Sequence, residues 1–540
     1  MTEKINKSES SGFFLFVLFA GVAAVVFRII YSAPIEFNDE SILKWQLGSQ
    51  FLASGDWGLF QGDHHNLRWS VIVSQIPVVA AFPGNWVSYY LTPIACWSFF
   101  AVACMGFFRS QPYRMALGIV LLVVIAVEPL GHAMASQVNS GAFGLLYVVC
   151  GIYAVLAFVR TAKWVYLLLT ALAFFFAYGA HLTFVIFSGA PVLFLFFNRR
   201  DFRGTAVFLL MLVALLGLEA LILSMVSGGE VQGGRLVEVA KMKTWGDSMM
   251  GSTRWKGGET YELHHFFDRW RMLPKYSLMI GVMFVLTTGA LILPRLRKEV
   301  PNGVWLCFYA AGIYGVAVSA PIIGVQPLQL ALDLHSRYLA PFFPLASVFV
   351  VWVVGRASQR AFGKQANVFF GVGSTLLLGF FFVGSVNDRC TAEIPSSQTL
   401  AAKLSVEGLY CRVFRYSQEQ VIYPAPDAFI LQADHYYRAF ANDYVSGKVA
   451  LYGHTRIGAF RLFVQTQYPH AQFFETPNGW FSIDGRDKPM CVKELGQFAI
   501  VENNYHACVG LKMKPGALEG GSNQASQKMV RDRWQVVEYE

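Results

Sequence analysis

The sequence predicts an all-α polytopic membrane protein, a bundle of about eleven transmembrane helices, with a small soluble α/β domain at the C-terminal end. Three observations predict it. The 540-residue chain is 55% hydrophobic and 14% charged, against about 25% charged in ordinary soluble proteins. Apolar runs alternate with turns, and every second turn is basic. From Asn387 the long apolar runs stop, and basic and acidic residues balance at 16 each, so the whole +9 excess lies before that point. This divides the chain into a membrane domain, 1–386, and a soluble domain, 387–540.

The spans follow in order. The polar start MTEKINKSESSG leads into FFLFVLFAGVAAVVFRII. That run is long enough to cross and has no small-residue cleavage site behind it, so a retained first helix is expected near 13–31. Further spans are expected near 86–108, 115–130, 141–159, 164–179, 182–197, 205–226, 277–293, 303–320, 338–355 and 366–386. Lys4 and Lys7 precede the first span. Arg109 and Arg114 separate the second and third, Arg160 and Lys163 the fourth and fifth, and Arg199, Arg200 and Arg203 the sixth and seventh. Arg295, Arg297 and Lys298 follow the eighth, and Arg356, Arg360 and Lys364 follow the tenth. Basic short loops mark the cytoplasmic side. One phase satisfies them all, with the N-terminus inside and residues 387–540 outside. The outer loop 227–276 carries eight basic residues, Arg235 among them, against six acids. It reads either as a solvated loop that crosses regardless of charge or as a surface for an anionic ligand. No nucleic-acid partner is expected.

In the C-terminal domain SSQTLAAKLSVEGLY reads as helix. AFRLFVQTQ, AQFFETPNGWFSID and QFAIVENN read as strands, with NG as a turn, and PGALEGGSNQASQK reads as a linker. Cys96, Cys104, Cys150 and Cys307 lie in spans as small hydrophobes. Cys390, Cys411, Cys491 and Cys508 lie in the outer domain, where an even count in an oxidising compartment predicts two disulfides of undetermined pairing.

Polar groups gather on one side. The first outer loop, about 32–85, holds EFNDESI with Asp39 and Glu40, then GDHHNLRWS with His64, His65 and Arg68. The next outer segments hold Glu128, His132, Gln137 and Asn139, then His181, then YELHHFFDRWR with His264 and His265. The last, LQLALDLHSRYLAPFFP, holds Asp333, His335, Arg337 and Tyr338. All seven histidines of the membrane half fall on or beside outer segments. Arginine offers phosphate a planar fork of donors, and a nearby carboxylate can take a proton from an attacking hydroxyl. A substrate with an apolar tail and an anionic head, such as a lipid-phosphate sugar, fits this layout. Two ionisable groups stand within spans. Arg28 reads as snorkelling to the headgroups or as a phosphate ligand, and Glu219 as paired with an unidentified base or placed near the headgroups.

These motifs resemble the class C (GT-C type) membrane glycosyltransferases that use polyprenyl-phosphate sugars. Among them are the protein O-mannosyltransferases and the bacterial aminoarabinose transferases, a glycosyltransferase family 39-like group. The resemblance covers about residues 10–360. It rests on Asp39-Glu40 and the helical SILKWQLGSQFLASGDW behind it, on HHNLRWSVIVSQIP, on FAYGAHLTFVIF, and on HSRYLAPFFP. It implies inverting transfer of a hexosyl or pentosyl group to a lipid, glycan or protein acceptor at the outer face of a bacterial inner membrane. It implies Asp39 as general base, with Glu40 as alternate base or acceptor-positioning group. Arg337 and His335 would bind the donor phosphate, supported by His181, Arg68, His264 and His265, while His64, His65 and Tyr338 would contact acceptor or loops. The family has metal-dependent and metal-independent members. No cofactor is expected here, a divalent cation remaining the alternative. Two departures stand out. Relatives commonly carry lysine where His181 stands, and many carry a second acid where SQVNSGAF offers Asn139. A lipid-linked glycan polymerase or ligase and a transporter or flippase are the rival functions. A transporter predicts ionisable groups at span midpoints, broken helices and internal repeats, whereas most spans here have clean centres and no repeat is evident.

Overall fold

A computed structural model describes residues 7–30, 39–60, 67–83, 86–136, 138, 140–226, 235, 270–271, 273, 275–319, 322–325, 328–330 and 338–385. Toward the C-terminus it describes 449–452, 474–475, 481–482, 498–502 and 534–538.

Apolar composition dictates the long helices. The first, α1 (Lys7–Ile30), has 24 residues, about 36 Å at 1.5 Å per residue, enough to cross a bilayer. Phe14, Leu15, Leu18, Phe19, Val22 and Val26 are exposed along it, while Phe13, Ala20 and Arg28 are buried. An apolar exposed face of this kind suits contact with lipid. Next come α2 (Asp39–Ser54), α3 (Trp69–Ala81), α4 (Trp86–Met105), α5 (Arg114–Ala126), α6 (Pro129–Ser136), α7 (Ser140–Thr161), α8 (Trp164–Ala180), α9 (Gly189–Leu193) and α10 (Phe202–Val226). After the outer loop follow α11 (Lys275–Gly289), α12 (Pro294–Glu299), α13 (Asn302–Ser319), α14 (Phe342–Phe362) and α15 (Ala366–Ser385).

Among the described residues eight helical stretches are long and apolar enough to cross a membrane, and four more apolar helices are shorter. Three of the shorter ones, starting at Arg114, Trp164 and Ala366, fall on expected spans. The fourth, α3, lies in what the sequence presents as an outer loop. The expected span 115–130 ends at Ala126, because Pro129 has no N–H and disfavours helical backbone at Glu128; the Glu128 side chain then accepts from the N–H groups of Leu130 and Gly131 that open α6. The expected span 182–197 is not a regular helix. It opens as a 3-10 turn, passes through α9 and closes as a π-turn, Phe194–Arg199. Pro191 inside it supplies no N–H to an α-helical ladder.

The helices pack around one core. α7 lies along α8, α13 along α14, α10 on α8 and α4 on α7. The core runs continuously from Trp97 and Phe100 through Leu145, Val148 and Phe174 to Phe343 and Phe349. Direction can be read from contacts. Arg114 at the start of α5 lies over the Phe13 ring, 5.5 Å from its centroid. Arg28 near the end of α1 reaches the carbonyls of Ile125 and Ala126 at the end of α5. These two helices therefore run parallel, and the bundle has two distinct ends. One holds the start of α5 and the close of α14. The other holds the close of α1, α5 and α8.

Two short strands, β1 (Ile322–Val325) and β2 (Leu328–Leu330), form an antiparallel pair before α14. Farther on, β3 (Val449–Tyr452), β6 (Phe498–Glu502) and β7 (Trp534–Glu538) form a sheet in the order β3-β6-β7, parallel then antiparallel. Between them β4 (Phe474–Glu475) and β5 (Phe481–Ser482) pair antiparallel, on either side of the expected NG turn. Within QFAIVENN, Phe498–Glu502 is strand as expected. β3 and β7 are additional, and AFRLFVQTQ, SSQTLAAKLSVEGLY and the 515–528 linker lie outside the described residues.

Candidate functional site

His181 ends α8. Its backbone turns extended (φ −156, ψ 135), and its N–H still donates to the Ala177 carbonyl at 3.1 Å. The side chain then caps the following 3-10 turn. Nδ1 lies 2.8 Å from Thr183 Oγ1 and accepts from the Thr183 N–H at 3.3 Å. With Nδ1 accepting, a neutral ring carries its proton on Nε2 and can donate from there. The ring packs 5.6 Å from the Tyr338 ring. Tyr314 ties the same group together, its hydroxyl 3.4 Å from Thr183 Oγ1 and donating to the Tyr338 carbonyl at 3.0 Å. His181 and Thr183 thus meet Tyr338, more than 150 residues away in sequence, at one point. Arg337 and His335 lie outside the described residues, but Tyr338, directly after Arg337, is fixed beside His181.

A second cluster adjoins the same turn. Arg68 stands at the N-cap of α3 and is buried. The next residue, Trp69, packs on Phe175 and Phe176 of α8 and donates from Nε1 to Glu219 at 2.7 Å. Gly179 has no room for a side chain, since a Cβ there would come within 2.7 Å of the Trp69 ring. The base that the sequence leaves unidentified for Glu219 is Arg235, from the start of the outer loop. Its Nη1 lies 3.7 Å from Glu219 Oε1 and donates to the Gly179 carbonyl at 3.0 Å. Its guanidinium lies 4.7 Å over the Tyr178 ring. Both side chains are about 95% withdrawn from solvent. The pair fastens Arg235 to the turn that carries His181.

Asp39 is the first residue of α2 and Glu40 the second. A carboxylate at a helix start interacts favourably with the exposed N–H groups there. Trp45 of α2 donates to Ser88 Oγ at 2.9 Å and meets Tyr89 edge-on. That anchors α2 to the start of α4, and α2 also packs along α3. The helix of Asp39 therefore lies at the end of the bundle that holds Arg68 and His181. Lys44, four residues on from Glu40, is completely buried. A four-residue spacing puts positions 40 and 44 on one face of a helix.

A third polar cluster closes this end. Glu128, just past α5, is 1% exposed. It accepts from the N–H groups of Leu130 at 3.2 Å and Gly131 at 2.6 Å, and from Ser277 Oγ at 2.5 Å. Burial pushes its carboxyl up to about 7, against the pull of these bonds and of the Arg28 charge. Arg28 does not snorkel. It is 2% exposed, its guanidinium 5.5 Å over the Trp97 ring, and it bonds the last carbonyls of α5 at 3.3 and 3.2 Å.

His132 lies on α6. Asn139, His64, His65, His264, His265, Cys390, Cys411, Cys491 and Cys508 lie outside the described residues. Cys96, Cys104, Cys150 and Cys307 are free thiols. Among the described residues no three His, Cys, Asp or Glu side chains group to hold a metal ion.

No family model and no curated protein matches the sequence. Solved structures do. ArnT from Cupriavidus metallidurans bound to undecaprenyl phosphate is similar at 15% identity and a TM-score of 0.50, covering 98% of each chain. The same protein in the apo state gives 13% identity and a TM-score of 0.49, again over 98% of each chain. At such identity the likeness is one of fold, and the chain has the class C membrane fold of ArnT.

Proposed function

We propose that the chain transfers a sugar from a polyprenyl-phosphate-linked donor to a lipid, glycan or protein acceptor, with inversion. The observation that carries this reading is the convergence at one end of the bundle. There the helix opened by Asp39 packs beside the arginine-led α3, and His181 meets Tyr338, the residue that follows Arg337 in sequence. The fold supports the donor class, because ArnT was solved with undecaprenyl phosphate bound.

In this reading the acceptor hydroxyl oxygen attacks the anomeric carbon, and its proton passes to Asp39. The bond from that carbon to the phosphate oxygen breaks, and polyprenyl phosphate leaves with the electron pair. Arg337, His335, His181 and Arg68 hold the charge that develops on the phosphate. Donors so placed contribute about 3–4 kcal/mol each, which lets the reaction run without a metal. His264 and His265 support the phosphate, and Glu40, His64, His65 and Tyr338 position the acceptor. The active end faces away from the cytosol of a bacterial inner membrane, and the soluble domain, 387–540, faces the acceptor.

The test is transfer of a labelled sugar from a polyprenyl-phosphate donor by the purified full chain. Transfer that survives a chelator and is lost in Asp39→Asn is expected. A polymerase or ligase would accept only glycan-lipid donors, and a flippase would move the donor without cleaving it. Either outcome contradicts the proposal.

A further inference from the structure

A cavity of about 560 Å³ opens between the first turns of α5 and α15, within the size range of about 300–1,000 Å³ typical of ligand sites. It lies at the end of the bundle opposite His181. Gln111, Arg114 and Asn367 form its polar part, and Met115, Ile119 and Phe370 its apolar part. The polar wall is held from behind. Tyr113 takes the left-handed conformation (φ 59, ψ 28) that turns the chain into α5. Trp352 of α14 donates to Gln111 Oε1 at 3.3 Å, and Gln359 donates to the Pro112 carbonyl at 3.0 Å. Arg356 in turn binds both Gln359 and Glu299, so these contacts brace the turn without filling the cavity.

Charge and polarity are graded along the cavity. Among the residues that line it none is acidic, and Arg114 is basic. Arg114 is oriented by the Phe13 ring beneath it and by its bond to the Arg109 carbonyl at 3.4 Å. The first-turn N–H groups of α5 and α15 add partial positive charge at the same level. Away from this level the walls become apolar and open outward. Met115 and Ile119, one turn apart, are exposed, as are Val368, Phe369 and Val372 on α15. A small free anion would use only the polar part. A molecule with an anionic head and hydrocarbon chains would use both.

We propose that this cavity is a binding site for an anionic phospholipid. The phosphate lies at Arg114 and Asn367, and an acyl chain lies against Met115, Ile119 and Phe370. Basic pockets between spanning helices recognise acidic headgroups in this manner. The site is separate from the proposed transfer chemistry, and its test does not depend on that reading.

The purified full chain, equilibrated with mixed vesicles of phosphatidylglycerol and phosphatidylcholine and released into native mass spectrometry, reports which lipid it retains. One arginine near a headgroup predicts about a fivefold preference for phosphatidylglycerol. Arg114→Gln should abolish that preference. Gly371→Leu should lower phosphatidylglycerol retention at least fivefold by filling the space, since Gly371 lines the cavity and a Cβ there meets nothing within 4 Å; this second variant keeps the test valid if Arg114→Gln does not fold. Equal retention of the two lipids by the unsubstituted chain overturns the proposal. So does a preference that persists in both variants, or one that inorganic phosphate removes.

Discussion

At the end of the bundle that holds His181, four charged side chains are between 1 and 6% exposed: Glu128, Arg28, Arg235 and Glu219. Glu219 is held by Trp69 and Arg235, and Glu128 by two backbone N–H groups and Ser277. At the other end Glu299 is shared by Arg356 and Arg360 at 2.7 and 2.8 Å, and all three side chains are 28 to 45% exposed. The buried pair is the longer, 3.7 Å between Arg235 and Glu219, and the two ends differ in energetic weight. Withdrawing a charge from water costs several kcal/mol even after relaxation, whereas exposed pairs are screened and contribute about 0–1 kcal/mol. Buried ionic clusters are kept where their geometry has a use. Here they tie Arg235 to the turn at Gly179 and the close of α1 to the close of α5.

The largest effect expected is chemical. Asp39→Asn should lower transfer about 10²–10⁴-fold, the usual share of a general base, with expression and melting temperature unchanged. Retained turnover would remove Asp39 from its assigned role. Next comes the direct test of the contrast between ends. Arg235→Met leaves Glu219 buried without its cation and should cost about 3–5 kcal/mol of stability. Glu299→Gln at the opposite end should cost no more than about 1 kcal/mol. Equal losses in thermal unfolding would erase the distinction. Arg337→Ala should weaken donor binding by about 1.5–3 kcal/mol, the worth of a hydrogen bond to a charged group, measured by calorimetry with polyprenyl phosphate.

The remaining effect is a slope. Burial raises the Glu128 carboxyl from its ordinary 4.5 to about 7, so the folded state binds this proton more tightly than the unfolded chain does. Stability from this group is therefore complete below about pH 4.5 and falls as pH rises to about 7. Glu128→Gln should flatten that part of the profile of melting temperature against pH. An unchanged slope would contradict the assignment.

Much of this arrangement was legible in the sequence. Long apolar runs bounded by basic turns gave the spans, because hydropathy and loop charge are summed over many residues and tolerate local irregularity. The gathering of histidines and acids on alternate loops pointed to one end of the bundle; of those histidines His181 is the one whose side chain is described, and it meets Tyr338. What escaped depends on contacts between distant segments. Nothing near Glu219 in sequence announces that Arg235 and Trp69 will hold it. Arg28 reads as a snorkelling residue until the Trp97 ring and the end of α5 surround it. The α3 helix was hidden because it is short and contains Pro77. Lys44 was readable from its spacing to Glu40, but its complete burial was not, because the partners of α2 are α3 and the start of α4.

The most direct test of the central claim is photo-crosslinking with a diazirine-bearing undecaprenyl phosphate in excess phosphatidylglycerol. The excess lipid occupies the cavity between α5 and α15, so label should appear on peptides containing His181 and Tyr338. Label confined to peptides 111–119 and 367–371, with none near His181, would contradict the account.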